Sequence, residues 1–165
     1  MSVVVKVRPA VATDMALVYD SWLSSYLFQV KDGAVVGGAA TSEMRKDDYF
    51  AFQRGRIDRL LETRAHVVVA HPEEAPNVIA SWACLDDEPN TFHYVFTMEA
   101  RRRNGYAKLL VGDRLFCTHL TDYRRTGGTG QHPGSFAAWK RRAGFRYLPH
   151  VLDHLGASEH QGSVG

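Results

Sequence analysis

Residues 92–110, FHYVFTMEARRRNGYAKLL, limit the fold more than any other stretch of the chain. The first half is aromatic and β-branched, which suits a pleated surface. The second half carries Ala107, Leu109 and Leu110, continued by Val111, an apolar stripe for a helix. Between them lies a basic turn containing Arg101, Arg102, Arg103, Asn104 and Gly105. A strand that enters such a turn and leaves as a helix aims several backbone N–H groups at one point. The first helical N–H groups have no internal acceptor, and the helix dipole is positive there. A phosphate is the natural occupant. Gly105 lets the backbone approach a ligand with no Cβ in the way, and Ala107 is small for the same reason.

The rest of the chain sets bounds on that reading. A length of 165 residues fits one domain with a sizeable core. The formal net charge is only +2, so nothing demands a nucleic-acid partner, although the arginines and lysines cluster at 101–103, 124–125 and 140–142. Cys84 and Cys117 have no metal-type spacing, and they are expected to be reduced and buried in a cytoplasmic protein. No apolar run is long enough to cross a membrane. His150 and His154 are four apart, a spacing that suits metal ligands only on a helix, and Pro149 argues against one there.

In chain order the pattern predicts a strand at 3–7 ended by Pro9, then an amphipathic helix at 13–26 with Thr13 or Asp14 as N-cap. Residues 31–40 have no period and are expected to be a loop. A second helix should run from Thr41 or Ser42 to about Arg64, with Gly55 as a point where it can break. Strands at 66–70, 78–85 and 91–98 form an antiparallel meander. Asp86, Asp87 and Glu88 are expected to make a solvated acidic turn, with drawing in a cationic acceptor as the alternative. The helix after the basic turn should stop at Gly112. Residues 115–120 then form a strand parallel to the central one, or the helix runs on through 120. The Gly-rich stretch 121–134 is a long loop, and Ser135 can cap a last helix, 136–142, before a strand starting at Phe145.

Arg102, Gly105 and Ala107 follow the pattern Gln or Arg, two residues, Gly, one residue, Gly or Ala. This resembles the acyl-CoA-binding motif of the GNAT superfamily of N-acyltransferases. The opening strand, Arg-Pro-Ala, helix and the ending from Trp139 to Gly144-Phe145 are similar to that family as well, and the strand–turn–helix text also looks similar to GNAT-like proteins of bacteriophages and prophages. The resemblance implies a mixed α/β fold, with a mostly antiparallel central sheet of six to seven strands, about four flanking helices and one splayed parallel strand pair. It implies one domain over residues 1–155 and a tail at 156–165. It also implies acetyl-CoA or another acyl-CoA as co-substrate. The backbone of Phe96, Thr97 and Met98 would pair with the pantetheine arm. The N–H groups of Arg103, Asn104, Gly105, Tyr106 and Ala107 would hold the diphosphate. Arg102, Lys108 and Lys140 would pair with cofactor phosphates.

The reaction so implied is direct attack of an amine on the thioester, which needs a base, a donor to the thioester oxygen and an acid for the thiolate. Strict alternation would set His93, Val95 and Thr97 on one face, and His93 is the first candidate base because its ordinary pKa lies near neutrality. His119 is a second candidate. The family's acid is a tyrosine, but the matching position holds Lys140, so Tyr123 in the Gly-rich loop is the substitute. Trp22, Tyr26, Tyr49 and Phe50 are available as walls for an amine acceptor, which the sequence leaves unidentified. Oligomeric state is likewise open, a homodimer included. Two other functions fit the same residues: a GNAT-like module that binds CoA without transfer, and a transferase acting on nucleic acid or a modified base.

Overall fold

The computed structural model describes residues 4–25, 30–31, 34–35, 45–88, 90–118 and 145–147 of the chain. Its elements in chain order are β1 (Val5–Pro9), α1 (Met15–Ser24), β2 (Val30–Lys31), β3 (Ala34–Val35), α2 (Lys46–Thr63), β4 (His66–Pro72), β5 (Ser81–Asp86), β6 (Thr91–Thr97), α3 (Tyr106–Val111), β7 (Phe116–Cys117) and β8 (Arg146–Tyr147). Six strands form one mixed sheet in the order β1-β4-β5-β6-β7-β8. The pairs from β1 to β6 are antiparallel, while β6–β7 and β7–β8 are parallel. The expected mixed, mostly antiparallel sheet is present, as is the parallel partner of the central strand.

Helices cover both faces of the sheet. On one face α1 and α2 bury Val18, Trp22, Tyr49, Ile57 and Leu60 against Val67, Val69, Trp82, Cys84 and Tyr94. On the other, Tyr106, Leu110 and Val111 of α3 pack on Ala83, Leu85, Phe92 and Cys117. Every residue of β5 is therefore buried, which is why its text lacks alternation. Trp22, Trp82 and Tyr94 form the aromatic heart of the first face, with ring centroids 5.2–5.7 Å apart. Each such side chain contributes about 1.5–3 kcal/mol by burial. Trp82 Nε1 donates to Ser21 Oγ at 3.0 Å, so the polar end of that ring is satisfied inside the core. Cys84 and Cys117 are both buried.

Local chemistry corrects several expectations. Asp14 takes the N-cap position of α1, but its side chain makes no cap bond there. It closes a 3-10 turn, accepting the Val11 N–H at 2.8 Å and gripping Arg8 at 2.6 and 3.1 Å. α2 runs unbroken through Gly55, because Tyr49, Gln53, Ile57 and Leu60 recur at helical spacing and bury one face, outweighing a glycine penalty of about 1 kcal/mol. Its first residue follows Arg45 as N-cap; Thr41 and Ser42 lie outside the described residues. Val30–Lys31 and Ala34–Val35 pair as a short ribbon where a structureless loop was expected. β5 starts at Ser81 rather than at Val78, which instead closes a turn on the Ala75 carbonyl. The chain past Gly112 turns into β7, so the continuous-helix alternative is overturned. The expected helix at 136–142, the loop at 121–134 and the tail at 156–165 lie outside the described residues.

Candidate functional site

β6 carries the site because its two ends do different things. At its start it pairs with β7 through Thr91↔Phe116 and Phe92↔Cys117, and the Thr118 N–H reaches the Phe92 carbonyl at 3.4 Å. At its end it feeds the basic turn. Between them the register against β5 shifts: Leu85 faces Phe92 but Cys84 faces Tyr94. His93 is thus the extra residue of a β-bulge. The bulge reverses the parity of β6. Phe92 and Val95 belong to one core cluster, while Tyr94 and Phe96 belong to the other. Strict alternation from His93 to Val95 and Thr97 therefore fails, and that expectation is corrected.

His93 lies buried, with a side-chain exposure of 0%. Its Nδ1 is 2.8 Å from Thr118 Oγ1, and its Nε2 is 3.5 Å from Asp86 Oδ2. Burial pulls its pKa down to about 4; the neighbouring Asp86 opposes that shift and Arg64 assists it. A ring so enclosed and so weakly basic is badly suited to take a proton from an amine. Asp86 is buried too, rather than part of a solvated acidic turn. Arg64 Nε grips its Oδ2, and the Glu88 N–H donates to Oδ1 at 3.1 Å. Asp87 pairs with Arg114 at 2.8 Å.

The backbone past the bulge is divided between two edges. The Met98 N–H donates to the Ala80 carbonyl at 3.0 Å, so alternate N–H groups along β6 also turn toward β5. The Phe96 carbonyl accepts Ser81 Oγ–H at 2.6 Å. These bonds correct the expectation that Phe96 and Met98 offer backbone to a ligand. Val95 and Thr97 turn the other way, to the edge where β7 has already ended, and among the described residues no strand pairs with them there. The Thr97 carbonyl holds Arg102 Nε at 3.3 Å. Val95 was missed by sequence reading because a bulge leaves no local mark in the text.

The turn itself is built from unusual backbone. Residues Glu99–Arg101 form a 3-10 turn, and Asn104 Nδ2 donates to the carbonyls of Arg101 and Arg102 at 3.2 and 3.4 Å. Arg103 has φ +68° and Gly105 φ +81°, both left-handed. α3 opens with the bond from the Leu109 N–H to the Gly105 carbonyl at 2.9 Å. The turn's own side chains occupy its carbonyls. Among the described residues, no acceptor meets the N–H groups of Arg103 to Lys108. A Cβ built on Gly105 would meet nothing within 4 Å among the described residues, so they leave the space over the turn open. Arg102, Arg103 and Lys108 are exposed around it, and Glu99 is the acid nearest in sequence.

The structure thus brings together Phe96, Thr97, Met98 and residues 102–108. It separates His93 from them by burial. His119, Tyr123 and Lys140 lie outside the described residues, as do His150 and His154. Among the described residues, no group of three or more His, Cys, Asp or Glu side chains could hold a metal, and no helix is long and apolar enough to cross a membrane.

No family model and no curated protein matches the chain. Among solved structures it is similar to a protein from Desulfovibrio desulfuricans named as an acetyltransferase of the GNAT family, at 17% identity over 87% of this chain and 86% of that one, with a TM-score of 0.45. It is also similar to yncA from Salmonella typhimurium, named as an acetyltransferase and solved with its cofactor acetyl-CoA, at 16% identity over 68% and 61% with a TM-score of 0.37. A third is the ribosomal-protein-alanine N-acetyltransferase from Brucella melitensis biovar Abortus 2308, at 14% over 98% and 96% with a TM-score of 0.36. Likenesses of this size stand beside the geometry without adding weight to it: what the chain is distantly similar to, in fold, is a set of solved acetyltransferases.

Proposed function

We propose that the chain is an acyl-CoA-dependent N-acyltransferase of the GNAT type, transferring an acetyl group to a primary amine. One observation carries this reading. Among the described residues, a strand edge unpaired past a bulge, at Val95 and Thr97, runs directly into a left-handed turn whose N–H groups from Arg103 to Lys108 lack acceptors. That pairing of an open edge with an anion-binding turn suits a ligand with an amide-bearing arm and a diphosphate head, and such a ligand is CoA.

The residues present fit that group. The N–H groups of Arg103, Asn104, Gly105, Tyr106 and Ala107 would hold the diphosphate, with Arg102, Arg103 and Lys108 supplying charge. Each charge-assisted contact is worth about 1.5–3 kcal/mol. The Val95 backbone and the Thr97 N–H would pair with the amides of the arm in the manner of a β-strand. Acyl-CoA supplies the acyl group as an activated thioester. A strand N–H aimed at the thioester oxygen stabilises charge that develops there. His119 is proposed as the base that accepts the ammonium proton, Tyr123 as the acid for the leaving thiolate, and Lys140 as a further phosphate contact.

The test is thiol release from acetyl-CoA over a panel of amines, peptides and nucleosides. Acceptor-dependent release supports the transferase. Binding of acetyl-CoA with no release for any acceptor identifies a binding module instead, and release confined to nucleosides would favour the base-modifying reading.

A further inference from the structure

His93 is enclosed, yet both ring nitrogens face polar partners across three elements. The charged groups that meet the ring are Asp86 of β5 and, behind it, Arg64 at the end of α2. The Asp86 carboxylate, 3.5 Å from Nε2, favours the tautomer with its proton on that nitrogen. Nδ1 is then the acceptor, and the Thr118 hydroxyl donates to it at 2.8 Å. Thr118 directly follows β7, is itself buried, and its N–H makes the last backbone link to β6 among the described residues, on the Phe92 carbonyl. The bulge that places His93 is also where the parity of β6 reverses and where, among the described residues, its pairing with β7 stops.

We infer that His93 is a positioning residue, which pins Thr118 and so fixes the last described link between β7 and β6, beside which the proposed acyl-donor edge begins. The inference rests on the transferase reading for its consequence, but not for the pin itself. Asp86, held by Arg64, lies 3.5 Å behind the ring at Nε2, which has no hydrogen-bond partner among the described residues, so the Thr118 contact at Nδ1 is the ring's one hydrogen bond there.

Three variants test it. Thr118→Val removes the hydroxyl at nearly constant shape, His93→Leu removes both nitrogens, and His93→Asn keeps an acceptor near the place of Nδ1. Amide hydrogen exchange at residue 118 reads the pin. The KM for acetyl-CoA and kcat read its consequence. Thr118→Val and His93→Leu should speed exchange at 118 and raise KM about fivefold to tenfold, the effect of one neutral hydrogen bond, with kcat at saturation changed less than twofold. His93→Asn should recover most of the KM. If His93→Leu does not fold, Thr118→Val carries both readouts alone. Unchanged exchange at 118 overturns the pin. Faster exchange with unchanged KM overturns its link to the donor edge. A fall in kcat of a hundredfold with KM unchanged would make His93 a proton acceptor and overturn the positioning role. Wild-type protein that binds neither acetyl-CoA nor CoA defeats the transferase reading, and exchange at 118 still decides the pin.

Discussion

Mild acid should weaken this fold through His93, and the effect can be isolated. In the folded chain its pKa is drawn from 6.5 to about 4, first by burial. In the unfolded chain it returns to its ordinary value. Between those values the unfolded state binds a proton that the folded state refuses, so stability is retained above about pH 6.5 and falls as the pH drops toward 4. At about 1.4 kcal/mol per pH unit, a shift from 6.5 to 4 totals about 3 kcal/mol, and about 2 kcal/mol of it is lost by pH 5. That is a large fraction of the stability of a domain this size. The assay is urea unfolding of wild type and His93→Asn at half-unit steps from pH 7.5 to 4.5, comparing midpoints at constant slope. The variant lacks the titrating ring, so the wild type should lose about 2 kcal/mol more than the variant between pH 7 and pH 5. Parallel pH profiles, or a His93 ring that titrates at 6.5 by NMR, would refute the reasoning.

Other outcomes follow from single contacts. Ser21→Ala leaves the buried Trp82 Nε1 without its acceptor and should cost about 1–3 kcal/mol, read as a lowered thermal midpoint; a loss below about 0.5 kcal/mol would contradict it. Asp14 is held below its usual carboxylate range chiefly by its hydrogen bond to Arg8, so it stabilises the fold above about pH 4 and loses that as the pH falls. Asp14→Asn should therefore be less stable at pH 7 and flatter below pH 4 in the same titration. Gly105→Ala should cost about 1 kcal/mol through its left-handed φ of +81°, although a Cβ there meets open space; no change in stability would contradict the backbone assignment.

Much of this was legible in the sequence, and the parts that were not share a cause. The text from Phe92 to Val111 announced strand, turn and helix because each local choice agrees: aromatic and β-branched residues, then arginines with Gly105, then an apolar stripe stopped by Gly112 at φ +58°. The parallel β7 followed from the helix that joins it to β6. The bulge at His93 is set by the pairing of two strands, so alternation along one strand could not reveal it. It moved His93 off the face of Val95 and Thr97 and turned Val95 to the edge that no strand pairs with among the described residues. Asp86 looked like part of a solvated acidic turn, because its partner Arg64 lies 22 residues away at the end of a helix. Gly55 looked like a break, because propensity acts locally while the buried face of α2 acts over its whole length.

The most direct test of the central claim is calorimetric titration of the chain with acetyl-CoA and with CoA, beside the Gly105→Glu variant. A saturable signal with wild type, weakened by added salt and abolished in a variant that remains folded, is the predicted result, because a carboxylate over the turn would repel the diphosphate proposed to sit on its N–H groups. No binding of either compound by wild type, or equal affinity in Gly105→Glu, would contradict it.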